Sequence, residues 1–288
     1  MKKTLFKKIE PFLYLLPALF FIVLFTYYPF INTVGKSFFL TNSMGVVREY
    51  VGLENYTRIL QDKDFLAAVK NTFIYVLTSV PASIVIALLL ALIANKKTRS
   101  SSAYETMFAI TMAMSTSVCA MIFQLIYNPS LGILNEFLGT KISWLTDSRY
   151  TLYSISFISV WMNIGYNFLF LLAAVRAVPD ELLECANIEG ANMFKKTTHI
   201  ILPIISPTVF FLIVNSLARS MMMSGLVIIL TDGGRSGTAS TMISYMYSQA
   251  VLAQNYNNGF AAAIVAFIIT FVLLLVSFSF EKKTVYYK

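Results

Sequence analysis

The chain has 288 residues, of which 57% are hydrophobic and only 12% charged, and its mean hydropathy is +0.70. A soluble domain carries about a quarter charged residues, so a water-soluble enzyme is excluded. The formal net charge is +8, but lysine and arginine stand at the ends of apolar runs instead of along one face. That pattern belongs to membrane topology and not to a nucleic-acid footprint, so no nucleic-acid partner is expected.

A hydrocarbon core of ~30 Å needs roughly 20 helical residues, and charge-poor runs of that length recur along the chain. The first lies between Glu10 and Lys36 and predicts a span over about 12–35. Its basic lead-in is like that of a signal peptide, but its length and the lack of a small-x-small site predict that it is retained. The segment 41–70 mixes Arg48, Glu49, Glu54, Asp62 and Asp64 with aromatics and reads as a short amphipathic excursion. Further spans are expected over about 71–95, 104–127, 151–175, 204–229 (interrupted by Arg219) and 260–280. Before the last of these, a run rich in Ser, Thr, Gln, Asn and Tyr from 236 onward is too polar for lipid and reads as a loop or interfacial helix. Pro17, Pro29, Pro81 and Pro207 lie in or beside the spans, as kinks that a bundle tolerates or as hinges. The expected fold is therefore all-α, an integral membrane protein of six transmembrane helices in one domain, 1–288.

Orientation follows from the flanking cations. With the N-terminus placed inside, Lys2, Lys3, Lys7, Lys8, Lys96, Lys97, Arg99, Arg176, Lys195, Lys196, Lys282, Lys283 and Lys288 fall on the inner side. Arg48, Arg58, Lys63, Lys70, Lys141, Arg149 and Arg235 fall outside. Both termini are expected in the cytoplasm. Cys119 and Cys185 lie in or beside apolar segments and make no disulfide or metal framework. A single histidine, His199, leaves no room for a histidine metal cluster or a serine triad, so no metal site and no catalytic residue is expected. A phosphate-loop fragment, Gly35-Lys36-Ser37, lacks its upstream glycine, since Phe30 stands there.

The longest inner connection, about 178–203, has the marks of structure. Pro179 followed by Asp180 and Glu181 is a helix start. Leu182, Leu183 and Ala186 give an apolar stripe beside Glu181 and Glu184, Gly190 allows a turn, and Lys195 and Lys196 begin a second basic piece. Leu202-Pro203 is expected to open the next span. The reading is a helix–turn–helix exposed on the inner side, with small residues where a partner approaches; a connection of this length in a compact protein is usually functional.

The string Glu184-Cys185-Ala186, then Gly190 and Ala191 and, further on, Ile200-Ile201-Leu202-Pro203, resembles the coupling motif of permease subunits of binding-protein-dependent ABC importers. Cys185 stands where that motif has alanine, and Glu189 where it has aspartate. The resemblance runs along nearly the whole chain and narrows to the carbohydrate-type permeases. Leu16-Pro17-Ala18, Val51-Gly52-Leu53-Glu54-Asn55-Tyr56 and Leu230-Thr231-Asp232-Gly233-Gly234 carry it. Tyr127-Asn128-Pro129 and the string from Trp161 to Phe168 are similar to the glycerol-3-phosphate branch. The resemblance implies the type I ABC importer permease fold (MetI-like). It also implies a coupling helix that docks on the ATPase through Glu184, Ala186, Gly190, Ala191, Leu202 and Pro203. It further implies a second permease subunit, a heterodimer being favoured, two cytoplasmic ATPase subunits that use the ATP, and an external solute-binding protein. The setting is a bacterial plasma membrane with lipid around the chain, and the chain binds no cofactor itself.

Substrate contacts are bounded by polar groups within spans. Asn163, Tyr166 and Asn167 share a helical face by their spacing and, with Trp161, combine aromatic rings with amides as sugar recognition does; an interface belt is the competing account. An ionisable residue inside a span is costly and points to function, so Arg219 is either a contact to an acidic substrate or a snorkelling, bundle-holding arginine. Asn215, Ser216 and Ser220 are hydroxyl partners or interhelical glue, and Met221-Met222-Met223 an adaptable wall or core. A carbohydrate is the expected cargo, with an anionic solute such as glycerol 3-phosphate or an acidic sugar as the alternative. An intramembrane protease would need paired acids or a Ser/His pair within the spans. A stand-alone carrier would need internal repeats or mid-membrane carboxylates, and neither is evident.

Overall fold

The computed structural model describes residues 2–95, 101–231 and 238–285. Lys96, Lys97, Arg99, Arg235 and Lys288 of the charge pattern, and Asp232-Gly233-Gly234 of the loop string, lie outside these residues. In chain order the helices are α1 (Lys2–Ile22), α2 (Tyr28–Lys36), α3 (Glu54–Gln61), α4 (Lys63–Ala94), α5 (Ser101–Ala113), α6 (Thr116–Ile126) and α7 (Ile133–Leu138). They continue as α8 (Thr151–Arg176), α9 (Asp180–Ile188), α10 (Met193–Lys196), α11 (Leu202–Met221), α12 (Gly225–Leu230), α13 (Met242–Tyr247) and α14 (Tyr256–Thr284). Among the described residues five helical stretches are long and apolar enough to cross a membrane, and a bent pair makes a sixth crossing if counted as one.

Prolines shape two of these crossings. The turns Val23–Tyr27 and Thr197–Ile201 are widened to π geometry, and each ends two residues before a proline, Pro29 or Pro203. A proline ring displaces the carbonyl four residues back and offers it no N–H, and a widened turn relieves that crowding. The chain thus stays helical from Met193 to Met221, so Leu202-Pro203 lies within the span and does not open it. Farther along, Pro207 leaves the carbonyl of Pro203 without its usual donor, and Ser206 Oγ takes it at 2.7 Å.

The centre of the fold is the α4–α8 pair. Ser79, Ser83, Ala87 and Ala91 recur every four residues along α4 and are all buried, which lets the backbones approach closely, as small residues do in membranes. Hydroxyls then bond across the seam. Tyr75 donates to Ser159 Oγ at 2.5 Å, Thr78 to Ser156 Oγ at 3.1 Å, and Asn167 Nδ2 to Ser83 Oγ at 3.2 Å. Such bonds average about 0.6 kcal/mol each in a bilayer. Opposite faces of the crossings carry Leu77, Leu89 and Ile93 on α4 and Phe267, Phe271 and Leu275 on α14, all exposed. No residue in the apolar stretch of the span Phe12–Lys36 is fully buried within the chain, although Phe30 packs on Phe267 of α14 with ring centroids 4.9 Å apart.

The expected single span at 104–127 is instead broken: α5 and α6 meet at 101° around Met114-Ser115. Ser115 caps α6, its Oγ accepting the Val118 N–H at 3.2 Å, so a helix starts inside the apolar run. Gly165 explains how α5 lies so close to α8: a Cβ there would overlap the Phe108 carbonyl and Thr111 Oγ1. The span expected to run to 229 likewise ends at Met221, followed by the separate short α12.

The fold is helical as expected, and the segment after the first crossing holds the one sheet among the described residues, a short hairpin. β1 (Phe39–Thr41) pairs antiparallel with β2 (Val47–Tyr50), Phe39 opposite Tyr50. This hairpin is pinned by Asn257 Oδ1, which accepts from Thr41 N at 2.7 Å and Oγ1 at 2.9 Å, and by Asn55 Nδ2 donating to the carbonyls of Ser37 and Phe39. The hairpin, α3 and α13 define one end of the bundle, the hairpin end. The polar run after 236 forms α13 and a π turn, Ser248–Leu252. The connection 177–192 lies at the other end, the loop end. There Leu202 and Val285 share a groove, which puts the close of α14 on the loop end as well.

Candidate functional site: a mid-bundle cavity and an exposed coupling segment

A cavity of about 490 Å³ opens where the broken crossing meets α8, α11 and α12. Asn163 and Tyr166 reach it from α8, Arg219 from the last turn of α11, and Met223 from the turn that follows. Asn215 reaches it indirectly, Nδ2 donating to the Tyr166 hydroxyl at 3.3 Å. The Arg219 guanidinium lies over the Tyr166 ring, 5.6 Å from its centroid. A helix C-terminus carries partial negative charge, so the last turn of α11 is a favourable seat for that cation. Among the described residues Arg219 makes no ion pair.

Asn167 departs from the expected face. Its side chain is fully buried against α4 on Ser83, and its Oδ1 has no partner among the described residues. Tyr166 and Asn167 are successive residues, about 100° apart around the helix, and the cavity takes only the first. The methionine run divides in the same way: Met221 is in the core, whereas Met222 and Met223 line the cavity.

Much of the remaining lining comes from residues that sequence spacing did not single out. The break in the third crossing delivers Thr111, Met112, Met114, Thr116 and Ser117, while Tyr75 and Ser159 come from the α4–α8 seam. The available signal was the string Ser115-Thr116-Ser117, good N-cap residues inside a charge-free run. Asn163 Nδ2 donates to the Ser159 carbonyl at 2.7 Å, which fixes the amide at the cavity wall.

The other expected site forms at the loop end. Pro179 precedes α9, with Asp180 and Glu181 in its first turn. Gly190 takes φ +73°, a left-handed turn that favours glycine, and Ala191 N–H donates back to the Ala186 carbonyl at 2.9 Å. Asn192 caps α10, accepting from Lys195 N at 2.9 Å, and Lys196 Nζ contacts Asn187 Oδ1 across the turn. Ala186 faces the bundle; Glu184 and Gly190 face outward. Ile188 (87% exposed) and Phe194 (75% exposed) stand in the open with Leu182 and Met193. Leu202 and Pro203 are set apart from this surface, within the helix that continues into α11, and Leu202 lines an apolar groove of about 310 Å³ with Phe280 and Val285. The distance from Leu202 to Arg219 is 17 helical residues, or ~26 Å of rise, so one rod links the exposed segment to the cavity. Among the described residues there is no group of His, Cys, Asp and Glu able to hold a metal.

Residues 63–282 match the family model described as "Binding-protein-dependent transport system inner membrane component". The chain is 30% identical over 284 residues to the sn-glycerol-3-phosphate transport system permease protein UgpA of Agrobacterium fabrum, with 97% of both chains covered. It is also 30% identical to the probable ABC transporter permease protein YurN of Bacillus subtilis, covering 96% of this chain and 97% of that one. Among solved structures it superimposes on a chain of a bacterial alginate ABC transporter in complex with alginate pentasaccharide-bound periplasmic protein (TM-score 0.84, 23% identity, 97% of each chain covered). A chain of the MetNI methionine ABC transporter matches with a TM-score of 0.56 at 14% identity, covering 81% of this chain and 99% of that one. The chain is an integral membrane permease with the ABC importer permease fold and not itself an enzyme; it belongs to the family of inner membrane components of binding-protein-dependent transport systems.

Proposed function

We propose that this chain is one of two permease subunits of an ATP-driven importer that takes up a carbohydrate handed over by an external binding protein. What carries the reading is a single connection: the helix from Met193 to Met221 has the exposed coupling segment at one end and Arg219 of the polar cavity at the other. A displacement imposed on α9 and α10 from outside is thereby transmitted to the cavity wall. The apolar surface of Leu182, Ile188, Met193 and Phe194 fits a groove on an ATPase subunit, with Glu184 at its edge and Gly190 allowing the turn. Two ATPase subunits in the cytoplasm hydrolyse the ATP, and the chain needs no cofactor.

The carbohydrate assignment draws on Asn163, Tyr166, Thr116 and Ser117 around one cavity, a set of amide, hydroxyl and ring groups suited to a polyol. The relatives named for glycerol-3-phosphate and the alginate transporter extend that reading to this chain. The largely exposed apolar face of the first crossing favours a second, related permease as a neighbour, in a heterodimer. Both termini lie in the cytoplasm of a bacterial cell, a reading supported by the excess of lysine and arginine that the sequence assigns to the inner side.

The test is reconstitution of the chain with its partner permease, ATPase and binding protein in lipid vesicles. Uptake of a labelled oligosaccharide that requires both ATP and the binding protein is the expected result. Uptake by this chain alone, without ATP, would contradict the reading.

A further inference from the structure

We propose that the cavity binds an acidic group of the transported carbohydrate, a carboxylate or phosphate, and that Arg219 is the residue that holds it. The inference rests on the importer reading and deepens it.

The first ground is charge. An arginine within an apolar span costs several kcal/mol unless it meets water or a counter-charge, and Arg219 is the one charged residue among the described residues that line the cavity. Its contact within the chain is the face of Tyr166. A guanidinium stacked on a ring keeps its N–H edges free, and those edges match two oxygens of one carboxylate or phosphate. Asn215 holds the Tyr166 hydroxyl, so the ring that orients the guanidinium is itself fixed.

The second ground is the balance of donors and acceptors. A neutral sugar offers many hydroxyl donors and is commonly met by carboxylates, but among the described residues the lining contains neither Asp nor Glu. Opposite the α8 wall stands the start of α6, where the first-turn N–H groups of Thr116 and Ser117 have no intrahelical acceptor. Their hydroxyl side chains line the same space. The 101° break is what brings this helix start to the cavity, and the start of a helix adds positive potential. Among the described residues the lining thus carries one cation and no carboxylate, beside a helix start and hydroxyls able to donate, and that charge balance is complementary to an anion. The walls between are Met112, Met114, Met162 and Met223, adaptable apolar surface that would cover the carbon skeleton.

The experiment uses the complete importer, with its partner permease, ATPase and binding protein, in lipid vesicles. Three labelled probes are compared: a trigalacturonate, glycerol 3-phosphate and maltotriose. The expected result is ATP-driven uptake of an acidic probe, with the uronate or the phosphate ester deciding which acid the site takes. Arg219→Gln should lower that uptake ~10- to 100-fold, the loss expected for a charge-assisted hydrogen bond. Arg219→Lys, which keeps the charge, should retain more uptake than Arg219→Gln. Uptake of maltotriose alone, uptake of none of the probes, or acidic uptake that survives Arg219→Gln would overturn the inference. So would loss of assembly in the Arg219 variants, the signature of an arginine paired with an acid of the second permease. Failure of the importer reading is a different observation, the absence of any ATPase bound to the chain.

Discussion

Arg176 Nη2 lies 2.6 Å from Glu105 Oε1 and 3.2 Å from the carbonyl of Ala94. One side chain thus joins the loop ends of α4, α5 and α8. Both charged groups are about three-quarters buried, with side-chain exposures of 23% and 26%, so the pair is more than a surface contact. Glu105→Gln should keep the hydrogen bond but strip the charge, at a cost of about 1–2 kcal/mol. Thermal unfolding in detergent is the check, and the variant should melt at a lower temperature.

The packing of α5 on α8 depends on the missing side chain at Gly165. Gly165→Ala would force a methyl into the Phe108 carbonyl and Thr111 Oγ1, and overpacking of this kind typically costs about 1–3 kcal/mol. Because Thr111 also lines the cavity, uptake should fall along with the melting temperature. Gly35→Ala, where nothing lies within 4 Å of the new Cβ, is the control and should change neither.

Gly190→Pro tests the coupling turn. Proline holds φ near −65°, whereas Gly190 stands at +73°, so the turn between α9 and α10 has to be rebuilt. Membrane insertion should persist while substrate-stimulated ATP hydrolysis and uptake are lost. Substantial uptake by the variant would favour a stand-alone carrier.

At the hairpin end, Tyr245 donates its hydroxyl to Asp62 Oδ2 at 2.6 Å. Burial first, and then that carboxylate, push the tyrosine above its ordinary value of 10.0. A raised value in the folded state means that the unfolded chain loses this proton first. The stabilising contribution is therefore complete below pH 10 and declines as pH rises above it. Tyr245→Phe should flatten that alkaline decline in a stability–pH series. Asp62→Ala also removes the cap of α4, where Oδ1 accepts from Asp64 N and Phe65 N, and should cost about 1–3 kcal/mol at neutral pH.

The sequence discloses crossings wherever charge-free length is the controlling variable. It is silent where geometry within an apolar run decides the outcome. Composition over 104–127 cannot separate one straight span from α5 and α6 meeting at a right angle, because lipid solvates both. The difference turns on Ser115 acting as a cap and on the close approach at Gly165. The same limit governs Asn167: helical spacing puts it near Asn163, but the packing partner Ser83, 84 residues away in sequence, decides which amide meets the cavity. The loop between α8 and α11 is more legible, since Pro179, Gly190 and Asn192 set backbone geometry locally and need no distant partner.

The central claim is that the exposed segment at the loop end engages an ATPase and that this chain works within a complex. The most direct measurement is purification of the tagged chain from gently solubilised native membranes, with the associated proteins identified by mass spectrometry. The account predicts recovery of a second, related permease and an ATPase, the ATPase being released when the coupling segment is altered at Gly190. Recovery of a stable, intact chain with neither protein bound would contradict it.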